Sequence, residues 1–155
     1  MRPGAERGKA RDRRKSAENV KINELMANRV IAVEPHHSVD HVRSLLARNK
    51  IHAVPVVGPS GEALGIVTSA DLLADLKSGT PISKVMSPDV HAVPAYNDAS
   101  VAARIMRKNK IHHVVVTHEK RVVGIVSSFD LLKLVEGRRF VAKKAPERSK
   151  KARRA

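Results

Sequence analysis

The sequence contains no cysteine and no tryptophan, and its only large aromatic rings are Tyr96, Phe129 and Phe140. Without cysteine there are no disulfides, no zinc–thiolate sites and no thiol nucleophiles. A reducing compartment is consistent with that. With so few rings, any core must be built from Val, Ile, Leu and Ala. Long apolar runs are also missing. No stretch approaches the roughly 18 apolar residues of a membrane-spanning helix, so none is expected. The charged N-terminus is not followed by an apolar segment within the first 21 residues, so no signal peptide is expected. A cytoplasmic protein is the expectation. Acidic residues are scarce: 15 Asp and Glu stand against 30 Lys and Arg, for a net charge of +15.

That excess is concentrated at the ends. Residues 1–21 carry eight basic residues against three acids, and residues 137–155 carry nine against one. Residues 22–136 carry thirteen against eleven and are nearly neutral. Both ends are poor in apolar residues and cannot offset the entropy of ordering. The expected organisation is therefore a disordered basic tail at 1–20, folded units at 21–78 and 79–137, and a second disordered basic tail at 138–155.

The folded part is a duplication. GIVTSADLL at Gly65–Leu73 and GIVSSFDLL at Gly124–Leu132 agree at seven of nine positions. Upstream, an offset of 60 aligns Ile22 with Ile82, Met26 with Met86, and Asn49-Lys50-Ile51-His52 with Asn109-Lys110-Ile111-His112. One residue is lost at the Gly58–Glu62 loop, and the offset becomes 59.

Each copy reads alike. A short turn at Ile22–Met26 or Ile82–Met86 precedes a β-prone run, Val30–Val33 or Val90–Val93. Ser38 and Asp98 are suited to N-cap a helix. Apolar stripes follow at Val39, Val42, Leu45 and Leu46, and at Ala99, Ala102, Ile105 and Met106. Asn49 and Asn109 suit a left-handed stop. Strands are expected at Ala53–Val57, Ala63–Thr68, His113–Thr117 and Val122–Ser127. A second helix closes each copy, through Asp71, Leu72, Leu73 and Leu76, and through Asp130, Leu131, Leu132 and Val135. The expected fold is α/β of the α+β kind: two β-α-β-β-α repeats packed about a pseudo-twofold, since one repeat alone cannot bury its sheet and helices.

Certain marks recur in order: Met26-Ala27 and Met86-Ser87, the runs IHAVPVV and IHHVVVT, and the ending Gly-apolar-Val-Thr/Ser-x-x-Asp. With them the sequence resembles a tandem pair of CBS domains (cystathionine-β-synthase type), the Bateman module, over residues 22–136. The resemblance implies a non-catalytic regulatory module, not an enzyme. Such a module binds adenine nucleotides (AMP, ADP, ATP) or an adenosyl ligand in two clefts between the repeats, and pairs as a homodimer. It requires no cofactor; the nucleotide is a regulatory ligand, with magnesium accompanying ATP. It also implies that Ser127 and Asp130 share one cleft with Ile51, His52 and Ala53, while Thr68 and Asp71 share the other with Ile111, His112 and His113. A carboxylate can accept from the paired ribose hydroxyls in charge-assisted bonds. The neighbouring hydroxyl can donate or accept. Arg29 and Lys84, near the first strand of each copy, are candidates for phosphate contact. The same Thr/Ser and Asp positions would equally suit simple helix capping.

No nucleophile–base set, glycine-rich phosphate loop or HExxH motif is present. Eight histidines include His36, His37 and His41, the last two at i, i+4 spacing, but no carboxylate-rich pattern accompanies them and no metal site is expected. The protein target of such a module is unknown from this chain. An alternative is a nucleic-acid-associated protein. Its basic tails, such as KKAPERSKKARRA at 143–155, would bind phosphate backbones or another polyanion by releasing counterions, with the CBS pair as dimerisation scaffold.

Overall fold

The computed structural model describes residues 20–27 and 29–136. Apart from Val20, whose carbonyl accepts the Ala99 N–H at 2.8 Å, both basic tails, with the disorder expected of them, lie outside the described residues.

Helix α1 spans Val39–Asn49 and α2 spans Ala99–Asn109. Ser38 caps α1: its Oγ accepts the His41 N–H at 3.2 Å. Asp98 occupies the N-cap position of α2 but makes no cap bond. Its carboxylate instead receives the Lys21 ammonium at 2.7 Å. One face of each helix is buried, through Val39, Val42 and Leu46 in α1 and Ala99, Ala102 and Met106 in α2. The left-handed stop falls one residue later than expected, at Lys50 (φ 53°) and Lys110 (φ 54°). Asn49 and Asn109 stay helical because their side-chain amides donate to the carbonyls of Leu45 and Ile105, at 2.8 and 2.9 Å. The turn is then closed by Ile51 N–H to Leu46 O and by Ile111 N–H to Met106 O.

Strand β1 (Ala53–Val57) pairs antiparallel with β2 (Ala63–Thr68), and β4 (His113–His118) pairs antiparallel with β5 (Arg121–Ser127). Strand β3 (Ala92–Pro94) lies parallel to β4. The expected run Val90–Val93 thus becomes a strand displaced toward Pro94. Its counterpart Val30–Val33 does not become a strand; only the bridge of Val33 to Val56 forms. The cause is two prolines. Val115 donates its N–H to His91 O, and Ala95 donates its N–H to Thr117 O, both at 2.9 Å. Pro55 and Pro35 take the places of Val115 and Ala95 in the first copy and have no N–H to donate.

The closing helices are shorter than expected. In the first copy only a 3-10 turn, Asp71–Leu73, forms before Ala74 becomes extended. The Arg43 guanidinium donates to Leu72 O at 2.8 Å and to Ala74 O at 3.2 Å, occupying carbonyls that a continuing helix would use. The second copy has Ala103 at the Arg43 position. There α3 (Ser128–Leu131) runs on into a 3-10 turn, Leu132–Leu134. Leu72 is buried, but Leu73 is 84% exposed, so the expected leucine stripe does not form one buried face.

Two aliphatic cores result, and they are crossed. Ile22 and Leu25 pack with Val93, Ala102, Val114 and Val126 of the second copy. Ile82 packs with Val33, Val42, Val54 and Val67 of the first. Backbone bonds fix the exchange: Ile22 N–H reaches Asn97 O at 2.9 Å, and Ile82 N–H reaches His37 O at 2.7 Å. Each repeat lends its opening turn to the core of the other.

Candidate functional site

At the end of β2, Thr68 donates its N–H and its hydroxyl to Asp71 Oδ2, at 2.8 and 3.0 Å. At the end of β5, Ser127 does the same to Asp130 Oδ2, at 2.8 and 2.9 Å. The Asp130 N–H donates back to Ser127 Oγ at 3.1 Å. Both pairs are therefore reciprocal caps. A carboxylate has about four lone-pair positions, so each cap leaves acceptor capacity unused. Lys133 Nζ lies 3.7 Å from Asp130 Oδ1.

Strand pairing carries these caps to the interface between the repeats. Thr68 lies opposite Ala53, and Ser127 opposite His113. Ser127, Asp130, Ile51, His52 and Ala53 all line one cavity of about 710 Å³. Thr68, Asp71, Ile111, His112 and His113 all line another of about 460 Å³. Both volumes lie in the range of small-ligand sites. The three histidines are not divided between the cavities as the sequence implied: His52, His112 and His113 line both.

Arg29, a candidate for phosphate contact, lines the larger cleft. Other lining residues were missed: the larger cleft also has Ile31, Lys50 and Phe129. The smaller has Asp89, His91 and Ser87. Lys84 lines neither cavity. The residue equivalent to Arg29 is Asp89, which the 60-residue offset would have revealed. Likewise Ile31 corresponds to His91, Ala53 to His113 and Phe129 to Ala70.

His113 is half-buried between the clefts. Burial pushes its imidazole below the ordinary 6.5, and the neighbouring His112 and His52 push it further down, against a weaker opposing pull from Asp130.

A separate cluster joins Glu34, His36 and His37, whose ligand atoms lie within 4.8 Å of one another. Glu34 is the carboxylate that the sequence reading overlooked. His37 Nδ1 already accepts the Glu34 N–H at 3.1 Å. None of the three lines either cleft.

The model of the CBS domain matches residues 22–78 and 82–137. The chain belongs to the CBS domain family. As a CBS pair it is similar to several known proteins. An uncharacterised 33.4 kDa protein in the ribosomal RNA operon of Thermofilum pendens is 34% identical over 131 residues, or 74% of this chain. The chain spans only 43% of that relative. The CBS domain pair of protein MJ0100, crystallised with 5′-methylthioadenosine and S-adenosyl-L-methionine, is 28% identical with a TM-score of 0.70. That match covers 76% of this chain and 97% of the other. CBSX2, crystallised with AMP, shares the fold at a TM-score of 0.66 and 22% identity, over 73% of this chain and 93% of the other. Among the described residues of this CBS pair, no helix is long and apolar enough to cross a membrane.

Proposed function

We propose that this CBS pair is a non-catalytic regulatory module that binds adenine nucleotides or related adenosyl ligands in its two inter-repeat clefts. It acts in the cytoplasm on a separate protein target. One observation carries the reading: each cavity joins the hydroxyl–aspartate pair of one repeat to the strand edge of the other. Asp130, with Ser127, serves the ribose hydroxyls in the larger cleft, and Asp71, with Thr68, serves them in the smaller. Ile51 and Ala53, or Ile111 and His113, flank the adenine. The MJ0100 pair, crystallised with adenosyl ligands, supports the ligand class.

Thermal unfolding of the full chain with adenine and guanine nucleotides, with and without magnesium, tests it. A ligand at about 100 times its dissociation constant stabilises by about 2.7 kcal/mol. The expected result is a shift with adenine ligands that shrinks or vanishes in Asp130→Ala, read against that variant's own baseline. A flat panel with the fold intact returns both aspartates to capping alone.

The closing turns support a homodimer. Leu73, Phe129, Leu132 and Val135 are 84, 76, 52 and 42% exposed. Large apolar residues exposed on the closing turns of both repeats suit burial against a second copy. Sedimentation should give twice the chain mass, and one chain mass in Leu73→Glu/Leu132→Glu; a wild-type monomer at micromolar concentration would refute the pairing.

A further inference from the structure

The duplication supplies an internal comparison, because the two clefts match position by position. We infer that they sort adenosyl ligands by charge: the larger takes a phosphate-bearing nucleotide, and the smaller takes a phosphate-free adenosyl compound that is neutral or cationic. The inference rests on the proposed adenosyl-binding role of the clefts.

The larger cleft is lined by two cations, Arg29 and Lys50, and one carboxylate, Asp130. The smaller is lined by two carboxylates, Asp71 and Asp89, and no lysine or arginine. Lys110, the equivalent of Lys50, is not among its lining residues. Asp71 is tied into its cap with Thr68. Asp89 has no hydrogen-bond or ion-pair partner among the described residues. A ligand bound the same way in both clefts would present the same end to Arg29 in one and to Asp89 in the other.

A guanidinium there binds phosphate oxygens through several donors at once. A carboxylate there repels them, and a cleft with apolar walls screens that repulsion less than bulk water does. Specific sites commonly combine an attractive element for one ligand with a repulsive one against the other. One further exchange agrees: His91 replaces Ile31, which adds a hydrogen-bonding edge to the cleft that is already the smaller, about 460 against 710 Å³, and this suits a compact nucleoside over a nucleotide with its hydrated phosphates.

Isothermal titration of the full chain tests this at pH 8, above the ordinary titration range of imidazole. AMP and the uncharged 5′-methylthioadenosine are the probes. AMP should bind one per chain, and Arg29→Ala should weaken it about tenfold or more. 5′-Methylthioadenosine added to AMP-saturated protein should fill a second site, also one per chain, that Asp71→Ala removes. Asp89→Arg should admit a second AMP. Arg29 and Asp89 are both exposed, so these variants should keep the wild-type circular dichroism spectrum. Two AMP per chain of similar affinity in the wild type, or an AMP affinity untouched by Arg29→Ala, overturns the sorting while leaving adenosyl binding in place. Silence from both probes overturns the sorting together with the reading beneath it.

Discussion

Under the proposed function, Asp71 and Asp130 each combine two roles in one carboxylate. Oδ2 takes two donors from the preceding Thr68 or Ser127, which fixes the side chain on the cleft wall. Capping thus orients the group that would meet a ribose, and the bland and the functional readings need not compete. His113 is the other residue whose placement has a measurable consequence. Its folded pKa lies below 6.5, chiefly through burial. Well above pH 6.5 the imidazole is neutral in both the folded and the unfolded chain, and stability is unaffected. As pH falls toward and through that value, the unfolded chain takes up a proton that folded His113 refuses. Stability should therefore drop on acidification until the folded imidazole itself titrates. Replacing His113 with Ala, the residue already present at the equivalent position 53, should flatten part of this loss. Urea midpoints from pH 8 to pH 5 would show it, and parallel curves for the two proteins would rule the effect out.

At the scale of elements, the strands of both hairpins and helices α1 and α2 were legible in the sequence. Their alternation or stripe is strong, and their ends carry caps or a Gly-Pro-Ser-Gly turn. What was not legible depends on partners distant in sequence. Arg43 shortens the first closing helix by taking the carbonyls of Leu72 and Ala74, 29 and 31 residues away. The grouping of cleft residues could be read from the repeat and the family resemblance, but the sharing of His52, His112 and His113 could not. It follows from where two strand edges meet. Pro55 stands against Val115 in the paired runs IHAVPVV and IHHVVVT, but its effect falls on a segment more than twenty residues upstream. That effect gives a test. Val115→Pro should remove the bond to His91 O without straining β4, since Pro55 occupies the same place in β1. The cost should be about 1–3 kcal/mol, seen as a lower urea midpoint at unchanged slope. Unaltered stability would mean that the bond does not anchor β3.

At the scale of the whole molecule, the crossed opening turns make the two repeats one folding unit and also build the clefts. Met26 leans on Gly124 of the other hairpin, and Met86 leans on Gly65. Gly65 and Gly124 are equivalent in the duplication, but their surroundings differ. The three atoms nearest to a Cβ on Gly124 all belong to the Met26 side chain: Sδ at 2.6 Å, then Cγ at 3.5 Å and Cβ at 3.6 Å. A flexible methionine can rotate away. A Cβ on Gly65 would meet Met86 Sδ at 2.6 Å and also the backbone oxygen of Ser87 at 2.9 Å. That oxygen is fixed by the Ile66 N–H, and Ser87 N–H returns the bond to Ile66 O. Gly65→Ala must therefore push the Ser87 segment off β2, at about 1–3 kcal/mol, the usual cost of overpacking. Gly124→Ala should cost clearly less. Because Ile66 and Ser87 both line the smaller cleft, Gly65→Ala should also weaken a ligand bound there while sparing one in the larger cleft. Urea denaturation of the two variants, paired with ligand titration, reads both effects. Equal destabilisation by the two would show that the methionines, not the Ser87 backbone, set the fit between the repeats.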